Sequence, residues 1–364
     1  MRVLFVTTHK YLPELRGGME VNTHELAGEL IKTGHAVGVL CGLAGTGWIG
    51  LLARVRIKIF RNPCPRDAIL GYSTWRAWHS VEHVAQVVKQ FQPDVIVVQG
   101  GADVVALLEA ALQLQIPVFY YIHTPDTLAL PPALSADRNL FFMTNSLFTA
   151  SVHREQVVSA VVRPLIKREN YATVSDRSAV VFINPAPHKG LEVVLGLAAG
   201  RPDVTFIFVV NRSSGIATLQ EKVDLTRYPN IQLLGPLSDM RQAYSKARLI
   251  LAPSQWVETW GRIATEAHFS GIPVLASDRG GLPEAVGPGG VCIAAEADGS
   301  TWLAAFAKIW DDPVLYEELV VASRTYAERL EIDRNFITTS FVEALTNQQK
   351  SQPAAIANIK VATH

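Results

Sequence analysis

Two passes of one alternation run along this chain. A strand-length apolar run is followed by a segment with helical apolar spacing, again and again, with a single break near residues 164–173. In the first pass residues 3–7 are apolar, and residues 19–31 carry an apolar face through Leu26, Ala27, Leu30 and Ile31 before a stop at Gly34. Residues 36–41 and 56–60 look strand-like. Val81, Val84, Ala85 and Val88 mark a helix. Residues 95–99 form a buried strand after Pro93-Asp94, residues 102–113 a helix and residues 117–122 a strand. In the second pass residues 179–183, 204–210, 231–234, 249–252 and 273–277 are strands. Helical spacing lies between them, at Leu191, Val194, Leu195 and Ala198 and over residues 240–247. This order implies parallel sheets with helices on both faces. The chain is therefore expected to be α/β, with two doubly wound, Rossmann-like domains facing a cleft. The boundaries fall at residues 1–168 and 169–330, with a helix over 331–347 and a polar, aperiodic tail over 348–364.

Composition agrees with two cores. The chain has 364 residues, 49% of them hydrophobic, which suits two domains better than one. Its formal net charge is zero, so nothing in the charge balance points to nucleic acid. Cys41, Cys64 and Cys292 are far apart and odd in number. They make no disulfide or zinc pattern and fit a reducing cytoplasm. The first apolar run is too short for a signal peptide or a membrane span. The expectation is a cytoplasmic protein, free or bound to a membrane surface.

The segment Glu258-Thr-Trp260-Gly261-Arg-Ile-Ala-Thr-Glu266 follows the apolar run 249–252 and its Pro253-Ser254 stop. Glu258 is expected at the carboxyl end of a parallel strand, where open α/β sheets bind ligands. Glu266 is expected about two turns into the next helix. Free N–H groups at a helix start suit a phosphate, and ionised carboxylates suit sugar hydroxyls. The segment fits a ligand that is part sugar and part phosphate.

It also resembles the Glu-x7-Glu motif of the retaining glycosyltransferases of family 4, which have the GT-B fold. Other stretches match in order: Arg16-Gly17-Gly18-Met19-Glu20, Gly34-His35-Ala36-Val37, Tyr121-Ile122-His123-Thr124, Thr144-Asn145-Ser146, His188-Lys189-Gly190, Leu234-Gly235-Pro236-Leu237-Ser238-Asp239 and Gly280-Gly281-Leu282-Pro283-Glu284. The resemblance implies transfer of a sugar from a nucleotide-sugar donor to a carbohydrate or lipid-linked acceptor. It implies no metal and no other cofactor. The first domain would be the acceptor side and the second would bind the donor, with the last helix crossing back to the first domain. His123 and Glu258 would be catalytic. Gly17, Gly18, Lys189, Trp260, Gly261 and Glu266 would bind the donor, with Trp260 and Gly261 acting through backbone N–H groups. The sequence departs from the family at Asn184-Pro185, where Gly-Arg is usual, so one phosphate-binding cation is missing. Arg212 is a weak substitute.

Each feature also has a plainer reading. Gly17-Gly18 could be an ordinary strand–helix turn, Lys189 a solvated lysine and His123 a structural histidine. The Gly-x-Gly-x-x-Gly fingerprint of dinucleotide-binding proteins is absent after the first strand. His79-Ser-Val-Glu82-His83 matches a metalloprotease pattern, and a solvated polar face is the better reading. Residues 48–58 mix Trp48, Leu51 and Leu52 with Arg54, Arg56 and Lys58. They suit either an anionic membrane surface or, as preferred here, a loop running into a core strand. Rival functions are a nucleotide-sugar epimerase of the same architecture, a glycosidase using Glu258 and Glu266, and a catalytically silent nucleotide-sugar-binding or scaffold protein.

Overall fold

The computed structural model describes residues 1–156, 158–210 and 215–347. Arg212 and the tail 348–364 lie outside the described residues. The chain forms two compact units. One comprises Met1–Leu165 and the chain from Asn335 onward, the other Ile166–Arg334.

The first unit is built on an eight-stranded sheet. Its strands are β1 (Arg2–Lys10), β2 (Ala36–Gly42), β3 (Arg66–Asp67), β4 (Ser73–Ala77), β5 (Val95–Val98), β6 (Val118–Ile122), β7 (Leu140–Thr144) and β8 (Val158–Val161). They lie in the order β3-β4-β2-β1-β5-β6-β7-β8, with β3–β4 the antiparallel pair. Strand β1 is central: Val3 is in register with Val37 of β2 and Val95 of β5. Successive side chains of a strand point to opposite faces, so both faces of β1 need cover. Val3 and Phe5 join one core with Val37, Val39 and Val97. Leu4 and Val6 join the other with Leu40, Ile96 and Val98. The helix Arg334–Thr346 supplies Ile337, Phe341 and Leu345 to the first of these cores. The Phe341 ring stacks on Phe5 with centroids 5.9 Å apart.

The second unit holds β9 (Ala179–Ile183), β10 (Phe206–Val209), β11 (Ile231–Leu234), β12 (Ala247–Ala252), β13 (Val274–Ser277) and β14 (Gly290–Ile293). Their order is β11-β10-β9-β12-β13-β14, and the pairings are parallel. Each sheet has a point where strand order reverses, between β1 and β5 in one unit and between β9 and β12 in the other. The crevice outside the carboxyl ends of two such strands is where doubly wound sheets hold ligands.

Two expectations are corrected. Residues 56–60 are not a strand: Gly47–Phe60 is one helix of 14 residues. The loop-and-strand reading of residues 48–58 fails with it, because β4 occupies the place beside β2. The helix expected over 240–247 is confined to Arg241–Tyr244, and Ala247 already begins β12. Among the described residues no helix is long and apolar enough to cross a membrane.

Candidate active site at the β9–β12 switch point

Strands β9 and β12 are neighbours, so the loops after them meet. The loop after β9 ends in a short turn, Pro187–Lys189, closed by Gly190 in the left-handed region at φ 82°. A Cβ on Gly190 would run into the Pro253 carbonyl, so glycine is required there. The His188 carbonyl accepts from the backbone N–H groups of Gln255 and Trp256, both at 3.0 Å. These contacts hold the Lys189 loop against the segment that follows β12.

Lys189 and Glu258 are thereby joined. The Lys189 ammonium makes an ion pair with Glu258 Oε1, and Ser254 Oγ donates to the same oxygen at 3.1 Å. The Lys189 and Glu258 side chains stay 26% and 22% exposed, enough for a ligand to reach both. Backbone contacts fix the position of Glu258. It forms a parallel bridge with Gly280, and the Gly281 N–H donates to the Glu258 carbonyl at 2.6 Å. Gly280 has φ 65°, and a Cβ there would strike the Glu258 backbone. The pair Gly280-Gly281 is thus a clasp on Glu258.

Glu266 lies in a different environment. It sits in the helix Arg262–His268 and is 7% exposed. Tyr244 Oη donates to Glu266 Oε2 at 2.7 Å, and Arg262 Nε lies 3.5 Å from Oε1. Burial pushes the Tyr244 hydroxyl well above its usual range, and the adjacent Glu266 carboxylate adds to this. The Tyr244 phenol therefore stays protonated and remains a donor to Glu266. Gly261 starts the helix at φ 97°, where a Cβ would meet Leu282. The Trp260 indole is buried in the core and donates to Thr265 Oγ1 at 3.2 Å. What Trp260 can offer a ligand is its backbone.

Residues 16–175 match the family described as Glycosyltransferase Family 4, and residues 177–312 match Glycosyl transferases group 1. The chain is a member of glycosyltransferase family 4. The D-inositol 3-phosphate glycosyltransferase of Corynebacterium diphtheriae is 30% identical over 152 residues, 38% of this chain and 35% of that protein. The GDP-mannose-dependent monoacylated alpha-(1-6)-phosphatidylinositol monomannoside mannosyltransferase of Corynebacterium glutamicum is 25% identical over 214 residues, 52% of this chain and 54% of that protein. The matched region spans about a third to a half of the length of these curated relatives. Anabaena HepE, solved with UDP, has the same GT-B fold: 18% identity and a TM-score of 0.70, covering 95% of this chain and 100% of that one.

In this family 4 chain the glycine pair of the first unit serves its own helix. Gly17 is the extended residue before the helix Gly18–Lys32. The buried Glu20 carboxylate turns back onto the Gly17 N–H, as a capping box does. Burial raises the Glu20 carboxyl above its ordinary range. A Cβ on Gly17 would collide with Glu20 Oε2. His123 follows β6 and packs on Tyr121 with ring centroids 4.1 Å apart. Burial pushes its imidazole down to about 3, so it is neutral at physiological pH and suits hydrogen bonding rather than charge stabilisation. Asn184 adopts φ 61°, a left-handed conformation that Asn tolerates better than most residues. His79 precedes a 3₁₀ turn, Ser80–His83, and His83 Nδ1 lies 3.1 Å from Gln86 Oε1. Among the described residues no group of three His, Cys, Asp or Glu side chains is placed to hold a metal ion. Sequence reasoning missed Ser254, Tyr244 and Arg262. Ser254 and Arg262 lie within four residues of Glu258 and Glu266, whereas Tyr244 is 22 residues from Glu266, and only contact geometry reveals the role of each.

Proposed function

We propose that this chain is a retaining, metal-independent glycosyltransferase. It moves a sugar from a nucleotide-sugar donor to a carbohydrate or lipid-linked acceptor. The observation that carries this reading is the partly exposed Lys189–Glu258 pair at the β9–β12 switch point. As the bond between the anomeric carbon and the diphosphate breaks, charge grows on the leaving diphosphate. The Lys189 ammonium is a preorganised cation for that charge, and no metal is required for this role. A bound diphosphate competes for the ammonium, which frees Glu258 to accept from hydroxyls of the transferred sugar. Glu266, oriented by Tyr244 and Arg262, holds the ribose hydroxyls. His123, as a neutral imidazole, hydrogen-bonds the transferred sugar. The relatives support the reading at the level of class, since their names specify glycosyl transfer and, in one case, a GDP-mannose donor.

The test is product analysis with a panel of nucleotide sugars, with and without candidate acceptors. Transfer with the donor's anomeric configuration kept, unaffected by EDTA, is expected. An inverted product would overturn the mechanism. Isomerisation of the donor without acceptor would assign an epimerase instead. Tight nucleotide binding with no product under any condition would assign a silent binding protein.

A further inference from the structure

The helix Gly47–Phe60 is apolar on two opposite faces. Ile49, Gly50 and Ala53 turn inward and are buried. Trp48, Leu51, Leu52, Val55, Ile59 and Phe60 are 45–71% exposed. At about 100° per residue, the first five of these fall on one stripe about 100° wide, opposite the buried face. Arg54 and Lys58 border the stripe on one side and Arg56 borders it on the other. A contiguous exposed apolar patch rimmed by polar residues marks an interaction surface.

The surroundings extend the same chemistry. A cavity of about 390 Å³ lies between this helix and the chain at Pro65–Ile69, lined among others by Trp48, Leu52, Arg56, Arg66 and Ile69. Ile69 is also exposed. From Gly47 to Arg66 the sequence has five cations, Arg54, Arg56, Lys58, Arg61 and Arg66, and no Asp or Glu. Two neighbouring carboxylates are both engaged by Arg76: Asp67 by Nε at 2.8 Å and Glu14 by Nη1 at 3.5 Å. The chain as a whole is neutral, so this positive charge is local.

We infer that the outer face of the Gly47–Phe60 helix lies in the interface of an anionic lipid membrane. Its apolar stripe enters the headgroup boundary, and Arg54, Lys58 and Arg56 reach the lipid phosphates from either side. An apolar stripe flanked by cations is the pattern of helices that lie in such interfaces, with the long basic side chains snorkelling to the charged layer. The cavity beside Arg56 and Arg66 is open to a single anionic headgroup. A second copy of this chain fits the face poorly, because isologous packing would set five cations against five. The helix is about 21 Å long, so it lies on a bilayer rather than crossing it.

Co-sedimentation of the full chain with vesicles tests this. Binding is expected to phosphatidylcholine vesicles containing phosphatidylglycerol, weakened by added salt, and not to phosphatidylcholine alone. Each cation near such a surface contributes roughly fivefold, so Arg54→Gln with Lys58→Gln should weaken binding about 25-fold. Val55→Gln with Ile59→Gln should also weaken it, with the thermal midpoint of the chain unchanged because both positions are exposed. Equal, negligible binding to both vesicles would overturn the inference, as would anionic binding that both variant pairs leave intact. A concentration-dependent dimer that Val55→Gln with Ile59→Gln dissociates, without any effect on vesicle binding, would instead assign the face to self-association.

Discussion

The two units share a strand-order reversal but fill it differently. In the second, the reversal brings Lys189 and Glu258 together, partly exposed and ready to exchange partners. In the first, beside β1 and β5, Thr7 Oγ1 donates to the Gly100 carbonyl at 3.0 Å, and the buried Glu20 carboxyl caps the helix start. A helix start capped by its own carboxyl has one backbone N–H fewer to offer a ligand. The topology supplies a place for a ligand twice, and the side chains that fill the two places differ.

The largest expected effect separates chemistry from binding. Glu258→Gln and His123→Ala should each lower turnover by about 10²–10³ while nucleoside-diphosphate affinity stays near normal, since interactions strengthened in the transition state raise turnover. Full activity in both variants would remove them from the mechanism. Next in size, Lys189→Ala and Glu266→Ala should each weaken nucleoside-diphosphate binding by about 1.5–3 kcal/mol, roughly tenfold or more. Unchanged calorimetric affinity in both would mean that the second unit is not the nucleotide site.

A smaller effect is expected from a buried histidine of the second unit. His268 is fully buried, with Nε2 3.2 Å from the Gly289 carbonyl. Burial, helped by the Arg329 charge, pushes its imidazole from 6.5 down to about 3. As pH falls through 6.5 the unfolded chain takes up the proton and the folded chain does not. Stability is therefore fully present above 6.5 and falls by up to ~1.4 kcal/mol per pH unit between 6.5 and about 3. Denaturation of His268→Gln between pH 7.5 and 5 should show a shallower slope than the parent, and identical slopes would contradict the buried neutral imidazole. The smallest effect belongs to the first unit. Glu20→Gln keeps a capping acceptor and removes a buried charge whose folded pKa is raised, so its stabilising contribution is lost as pH rises. At pH 7 stability should stay level or rise, and nucleotide affinity should not change. A large gain in nucleotide affinity would move the phosphate site to Gly17-Gly18 and dissolve the contrast between the units.

Much of this was legible in sequence. Strand β9 coincides with the apolar run 179–183. The fold class follows from the alternation, because a buried parallel strand must be apolar on both faces. Glu258, Glu266 and Lys189 stood out by motif. The helix Gly47–Phe60 did not. Val55-Arg56-Ile57-Lys58-Ile59 alternates like a strand, while Trp48, Leu52, Val55 and Ile59 also keep helical spacing. Both periods fit, and local pattern cannot choose between them.

By itself the sequence determined two doubly wound sheets and singled out Lys189, Glu258 and Glu266, because hydrophobic periodicity and motif spacing are local properties of the chain. Only the tertiary structure decided that β4 takes the edge of β2 and leaves residues 47–60 helical with an uncovered face. It also decided the partners. Lys189 meets Glu258 across 69 residues because β12 lies beside β9 rather than beside β11, and Tyr244 meets Glu266 across 22 because the helices before and after β12 pack into one core. Such pairings depend on which strands become neighbours, and no local pattern encodes that.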